Sequence, residues 1–135
     1  MTFINMAGWK NFEDIEAWQM ARVLAKNIFV FLQKDVFNKD YRLKNQMLAS
    51  SGSIMDNIAE GFERSGNKEF IQFLYISKGS AGELRSQFYR CFDNNYMTEE
   101  EFEVFKTEVK DIANKLSGII RYLKSSDLKG YKYKK

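Results

Sequence analysis

The 135-residue chain has no proline and no histidine, only one cysteine, and no apolar run approaching the roughly 18 residues that cross a bilayer. Each absence removes a class of answer. Proline is the residue that most often breaks a helix interior, so long uninterrupted helices meet no obstacle. Histidine is the usual general base near neutral pH and the commonest transition-metal ligand, and without it most hydrolase and zinc chemistries are disfavoured. Cys91 has no second thiol to pair with and falls at an apolar helical position, which marks it as a buried thiol rather than a nucleophile. There is no Walker loop, no dinucleotide glycine pattern and no concentration of acids of the kind that holds a metal. The chain therefore reads as non-enzymatic, with no metal and no cofactor. The N-terminus lacks a basic segment followed by a hydrophobic block, so a cytoplasmic setting away from membranes is expected.

What remains is an ordinary globular composition: 44% hydrophobic and 29% charged residues place the chain well away from disorder, and its length suits one domain with one core. Apolar residues recur at steps of three and four, the spacing of one helix face. Trp18, Ala21, Ala25, Ile28 and Leu32 predict a first helix over 12–34. The 35–40 segment loses the repeat and carries Asn38 and two aspartates, so it reads as a connection. A second helix over 41–64 places Met47, Ile54, Met55, Ile58 and Phe62 on its core side. Gly66 is then expected to end that helix in a left-handed conformation, with Ser65 or Asn67 capping the next.

The third helix carries Phe70, Leu74, Ser77, Ala81, Leu84, Phe88 and Cys91 at heptad-like spacing, with Phe73, Ile76 and Phe92 widening the stripe. Asn94-Asn95-Tyr96 ends it. Thr98-Glu99-Glu100-Glu101 has the capping-box pattern and opens a fourth helix with Phe102, Phe105, Val109, Ile112, Leu116, Ile119 and Leu123, expected to fray at Ser125 and Ser126. The organisation is thus an extension over 1–11, a bundle over 12–124 and a basic flexible tail over 125–135. Short connections favour antiparallel neighbours, so the fold class is all-α, an antiparallel up-down-up-down four-helix bundle.

Three features go beyond packing. Ser53, Asn57, Glu60 and Arg64 share a polar line beside the apolar one. Glu60 and Arg64 can form a simple i,i+4 ion pair, or Asn57 and Glu60 can join Ser80, Glu83 and Gln87 in a hydrogen-bonded network that sets helix register. Gly52, Gly61, Gly79 and Gly82 sit inside helices, where glycine costs stability, so close backbone approach is expected within one subunit or between subunits. Finally, five lysines against Asp127 give the last twelve residues a net +4 within a chain of +3. Lys124, Lys129, Lys132, Lys134 and Lys135, interleaved with Tyr131 and Tyr133, suit phosphate contact and base stacking, or serve only to solubilise the chain.

The residues Ser53-Ile54, Asn57-Ile58-Ala59-Glu60-Gly61, Arg64, Glu69-Phe70, Phe73-Leu74, Gly79-Ser80 and Glu83-Leu84, with Trp18-Gln19 and Gln46, resemble the 23S ribosomal RNA intervening-sequence proteins. Relatives of that family include accessory variability proteins of diversity-generating retroelements. The likeness spans nearly the whole bundle. It implies a homo-oligomer, a homopentameric ring of bundles, with no catalytic activity and with RNA or DNA as partner. It also admits a scaffold or accessory subunit that binds a protein such as a reverse transcriptase. Two departures stand out: Met47-Leu48 occupy a level where the family often carries a basic pair, and Ser77 replaces a more usual alanine.

Overall fold

A computed structural model describes the backbone of residues 8–64 and 66–133, and the side chains of residues 8–64 and 66–126. Four long helices carry it: α1 (Glu16–Phe31), α2 (Tyr41–Glu63), α3 (Asn67–Asp93) and α4 (Glu99–Tyr133). No strand occurs among the described residues. The helices pack into an all-α bundle whose core is one continuous cluster. Central to it are Leu24, Ile28, Met47, Ile54, Ile58, Phe70, Leu74, Leu84, Phe88 and Leu116, each with no exposed surface. No helix among the described residues is long and apolar enough to cross a membrane.

The expected apolar lines are buried with instructive exceptions. On α3 every residue of the line from Phe70 to Cys91 is buried, but Ile76 stands 51% exposed and Phe92 36%, so neither widens the core stripe. Ile76 directly precedes Ser77 of that line and Phe92 directly follows Cys91, so at about 100° per residue each stands to one side of it, and packing settles which edge is covered. On α1 the buried face comprises Ala17, Ala21, Leu24, Ile28 and Phe31, with Trp18 only partly covered.

The helix ends show how local chemistry sets the boundaries. α1 starts at Glu16 rather than at Phe12. The Asp14 carboxylate accepts from the Lys10 and Asn11 amides at 2.9 Å each, the chain makes a 3₁₀ turn over Phe12–Asp14, and Ile15 follows in an extended conformation that drives it into the core. Between α1 and α2, the 3₁₀ turn Asp35–Asn38 buries Phe37 completely, and Asp40 caps α2 by accepting from the Leu43 amide at 3.3 Å.

Gly66 does not take the left-handed conformation. It is extended, with φ −144°, and serves as the residue before α3, with no side-chain cap. A left-handed residue ends α3 instead, Asn95, with φ 62°. The Tyr96 amide donates to the Cys91 carbonyl at 2.8 Å and the Asn95 amide to Phe92 at 3.1 Å. Those two bonds satisfy the last carbonyls of α3 in a Schellman arrangement. Two residues later the capping box forms as its sequence pattern predicts: Thr98 Oγ1 accepts from the Glu101 amide at 3.1 Å, and Glu101 Oε1 accepts from the Thr98 amide at 2.9 Å. α4 does not fray at Ser125 and Ser126. Leu123 and Ser126 are buried, and the helix continues through Tyr133.

Glycine behaves less uniformly than expected. A Cβ on Gly61 would lie 2.6 Å from Phe73 Cβ and 2.9 Å from Phe70 Cδ1, so α2 and α3 touch there because no side chain intervenes. At Gly52, Gly79 and Gly82 a Cβ would meet nothing within 4 Å, which removes close approach within the chain as their explanation.

Candidate nucleic-acid interface

The family-motif residues assemble where α2 crosses α3. Ser53 Oγ and Ser80 Oγ share a hydrogen bond of 2.8 Å, and Asn57 Nδ2 donates to the Ser53 carbonyl at 2.8 Å and to Ser53 Oγ at 2.9 Å. One turn away, Ser77 Oγ donates to the Ile54 carbonyl at 2.7 Å. The Ser53–Ser80 and Ser77–Ile54 bonds join the helices within one chain and fix their register, while Asn57 holds Ser53 from within α2. Glu60 stays outside the network: it pairs with Arg64 at 3.0 Å, the simple i,i+4 contact. Arg64 also lies 3.8 Å from Glu69 and 5.1 Å from the Phe73 ring centroid.

Beside this seam runs a groove of about 520 Å³ bordered by Gln46, Ser50, Glu83, Ser86, Gln87 and Arg90. Arg90 Nη1 donates to Gln46 Oε1 at 3.1 Å across its mouth. Gln87 is 4% exposed, and its Oε1 is buried with no hydrogen-bond partner among the described residues. Glu83 and Gln87 therefore do not join the Ser53, Asn57 and Ser80 network, although they flank it.

α4 separates charge between its two sides. Towards α1, a hollow of about 600 Å³ around Trp9, Met20 and Ile119 carries Glu16 and Asp111, with Lys115 paired to Glu16 at 2.6 Å. Glu108 lines an adjoining hollow with Asp111. Burial first, and then the neighbouring Asp111 charge, raise the Glu108 carboxyl above its ordinary value. The described side chains of the two hollows carry three acids against one lysine. Towards α3, a groove of about 250 Å³ is lined by Lys78, Arg85 and Lys110 over a floor that includes Ala81, Gly82 and Ala113, with no acid in its lining. None of the three cations forms an ion pair among the described residues.

Of the basic residues singled out from the sequence, Lys124 is placed: its Nζ donates to Tyr75 Oη at 2.6 Å and lies 5.1 Å from that ring's centroid. Lys129, Tyr131, Lys132 and Tyr133 lie on the helical backbone of α4, and their side chains fall outside the described residues. Lys134 and Lys135 lie outside the described residues altogether. Sequence reasoning passed over Lys78, Arg85 and Lys110. The signal was the stripe Tyr75, Lys78, Gly82, Arg85, Tyr89, which repeats at steps of three and four on the far side of α3 from Glu83.

The sequence profile described as 23S rRNA-intervening sequence protein matches residues 13–118, most of the chain. The chain belongs to that family. A member of the S23 ribosomal protein family from Bacteroides thetaiotaomicron VPI-5482, a protein of unknown function with a crystal structure at 1.70 Å resolution, is 25% identical to it. The alignment covers 77% of this chain and 97% of that protein, with a TM-score of 0.71. No curated protein matches this chain. In this member of the family, the matched region takes in the Ser53, Asn57 and Ser80 seam and the basic groove, and ends before Lys124.

Proposed function

We propose that the chain is a non-enzymatic, homo-oligomeric helical module of the cytoplasm that binds RNA or DNA through electrostatics. The supporting observation is the continuity of α4 from Lys124 through Tyr133. At 1.5 Å per residue, the Lys132 position lies about 12 Å beyond Lys124 along the same axis, so the basic segment prolongs a surface that already holds unpaired cations. Every phosphate neutralised releases condensed counterions, and no base-specific chemistry is required.

The helices run up-down-up-down in this reading. Contacts between Gln46 and Arg90, Ser53 and Ser80, and Ile54 and Ser77 support opposite directions for α2 and α3, because rising numbers on one meet falling numbers on the other. Self-association into a five-membered ring would cover some of the apolar surface at Val23, Phe29 and Val30, each more than half exposed. Repeating the basic segment five times adds avidity without new contacts.

Anisotropy of a labelled oligonucleotide, measured against rising salt, tests the reading. Affinity should fall steeply with salt, and a chain ending at Ser126, which keeps every described buried residue, should bind more weakly. Salt-independent binding, or none, would overturn it. Light scattering on the eluting protein should give about 80 kDa for five chains of 15.9 kDa; a monomer mass removes the ring.

A further inference from the structure

We infer that the groove between α3 and α4 is the track for a single-stranded nucleic-acid segment, with phosphates on Lys78, Arg85 and Lys110 and bases stacked on Tyr75 and Tyr89. The inference rests on the nucleic-acid reading above and assigns it a site that needs none of the lysines beyond Lys124.

The groove has two marked ends. At one, Lys106 Nζ lies 6.0 Å from the Tyr89 ring centroid and 4.8 Å from that of Phe102, while the Tyr89 and Phe102 rings meet edge to face at 4.9 Å. At the other, Lys124 holds Tyr75. Between Tyr75 and Tyr89 the α3 axis advances about 21 Å, the span of about six stacked nucleotides at 3.4 Å each. Along it stand five cations: Lys78, Arg85, Lys106, Lys110 and Lys124. Among the described residues one acid pairs with them, Glu103, 3.4 Å from Lys106 at the end of the track. The other nearby acids are directed elsewhere, Glu83 to the groove beside α2 and Glu108 and Asp111 to the hollows beside α1.

Charge selects a polyanion, and the aromatic ends select its form. Tyr75 is 47% exposed and Tyr89 48%, so each ring is anchored by a lysine and still offers surface. A duplex hides its base faces in the stack, whereas a single strand presents one on every nucleotide. The floor of Ala81, Gly82 and Ala113 keeps the centre of the trough free of bulky side chains. Gly82 has open space where a Cβ would stand, so a backbone can lie close there without displacing protein.

The test uses the full chain, a labelled ten-nucleotide oligo-uridine or oligo-thymidine, and a duplex of the same length. Lys78→Gln, Arg85→Gln and Lys110→Gln are combined in one variant. All three side chains are exposed, and an unchanged melting curve controls for folding. Loss of three phosphate contacts should lower the slope of log affinity against log salt by about 2 for a single strand. Tyr75→Leu with Tyr89→Leu should weaken single-strand binding about tenfold or more and leave that slope unchanged. If the full chain binds and the triple variant binds equally, the groove assignment fails while the nucleic-acid reading stands. Absence of binding by the full chain ends both. Duplex bound as tightly as single strand overturns the stacking, and a drop in oligomer mass for the triple variant makes the groove a subunit contact instead.

Discussion

Lys34 Nζ lies 2.7 Å from Glu101 Oε1 and 3.3 Å from the Tyr96 carbonyl oxygen, tying the turn after α1 to the first turn of α4. Glu101 thus serves two partners at once, since the same Oε1 accepts from the Thr98 amide. Partial burial raises its carboxyl, but the Lys34 hydrogen bond and charge together with the Thr98 amide outweigh that and leave it below its ordinary 4.5.

A folded-state value below the unfolded one means that the unfolded chain binds more protons between the two. Stability from Glu101 is therefore fully present above about pH 4.5 and is lost as pH falls through the depressed folded value. Glu101→Gln should melt below the parent at pH 7, and the gap should shrink as pH approaches 3. Both side chains are about a third exposed, so the effect stays small, and salt should reduce it further. A gap that is constant between pH 7 and pH 3 would show that the carboxylate charge is not involved. Melting temperatures of the two proteins across that range decide the matter.

The features legible in the sequence were those that depend on a few neighbouring residues. Thr98 and Glu101 sit three apart and satisfy each other's amides, so their box could be read without any knowledge of the fold. The helix-ending role of Asn94 and Asn95 was equally local. What could not be read needed a second element. Gly66 had the residue type for a left-handed turn, but the chain enters α3 directly from an extended residue. Gly61 and Gly52 look alike in sequence, and only the passage of Phe73 and Phe70 beneath one of them separates their roles. The basic groove was half visible, as a stripe on α3, and its other wall comes from Lys106 and Lys110, more than twenty residues further along. Lys78 and Arg85 look like any exposed helix charges until α4 lies beside them without an acid.

Gly61→Ala should be costly. The new Cβ would fall 2.6 Å from Phe73 Cβ, an atom fixed to its own backbone, so α2 and α3 must part or distort. Overpacking of this kind costs about 1–3 kcal/mol. Gly52→Ala is the control, because its Cβ meets nothing within 4 Å and the backbone entropy gained in a helix is worth up to about 1 kcal/mol. Urea unfolding of both should move in opposite directions. Equal destabilisation would mean that Gly52 packs against something outside the single chain.

Ser77→Ala should be nearly silent despite full burial. Ser77 Oγ donates to the Ile54 carbonyl at 2.7 Å, but that carbonyl sits in the interior of α2, where it already serves the amide four residues on. Removing the hydroxyl strands no donor, so the loss stays at about 1 kcal/mol or less. Ser77→Val keeps no hydrogen bond and adds bulk to a filled seam, which costs about 1–3 kcal/mol. A large effect of the alanine change in urea unfolding would assign the hydrogen bond a greater part in holding α2 on α3.

Cys91 should resist modification for as long as the bundle stays folded. Its side chain is fully buried, its thiol lies 3.5 Å from Met47 Sδ, and burial pushes the thiol from 9.0 up to about 12. Near neutral pH that leaves a thiolate population about a thousandfold below that of an ordinary thiol, and the thiolate is the attacking species. Arg90 nearby lowers the value, but less than burial raises it. Reaction with an aromatic disulfide at pH 8 should therefore wait on opening of the helix pair. Its rate should rise with urea in parallel with unfolding, and Met47→Ala, which leaves a cavity against the sulfur and costs about 2–5 kcal/mol, should accelerate it through that opening. Fast labelling of the native protein, independent of urea, would place a reactive thiolate at Cys91 and reopen the question of chemistry in a chain that has no histidine to activate it.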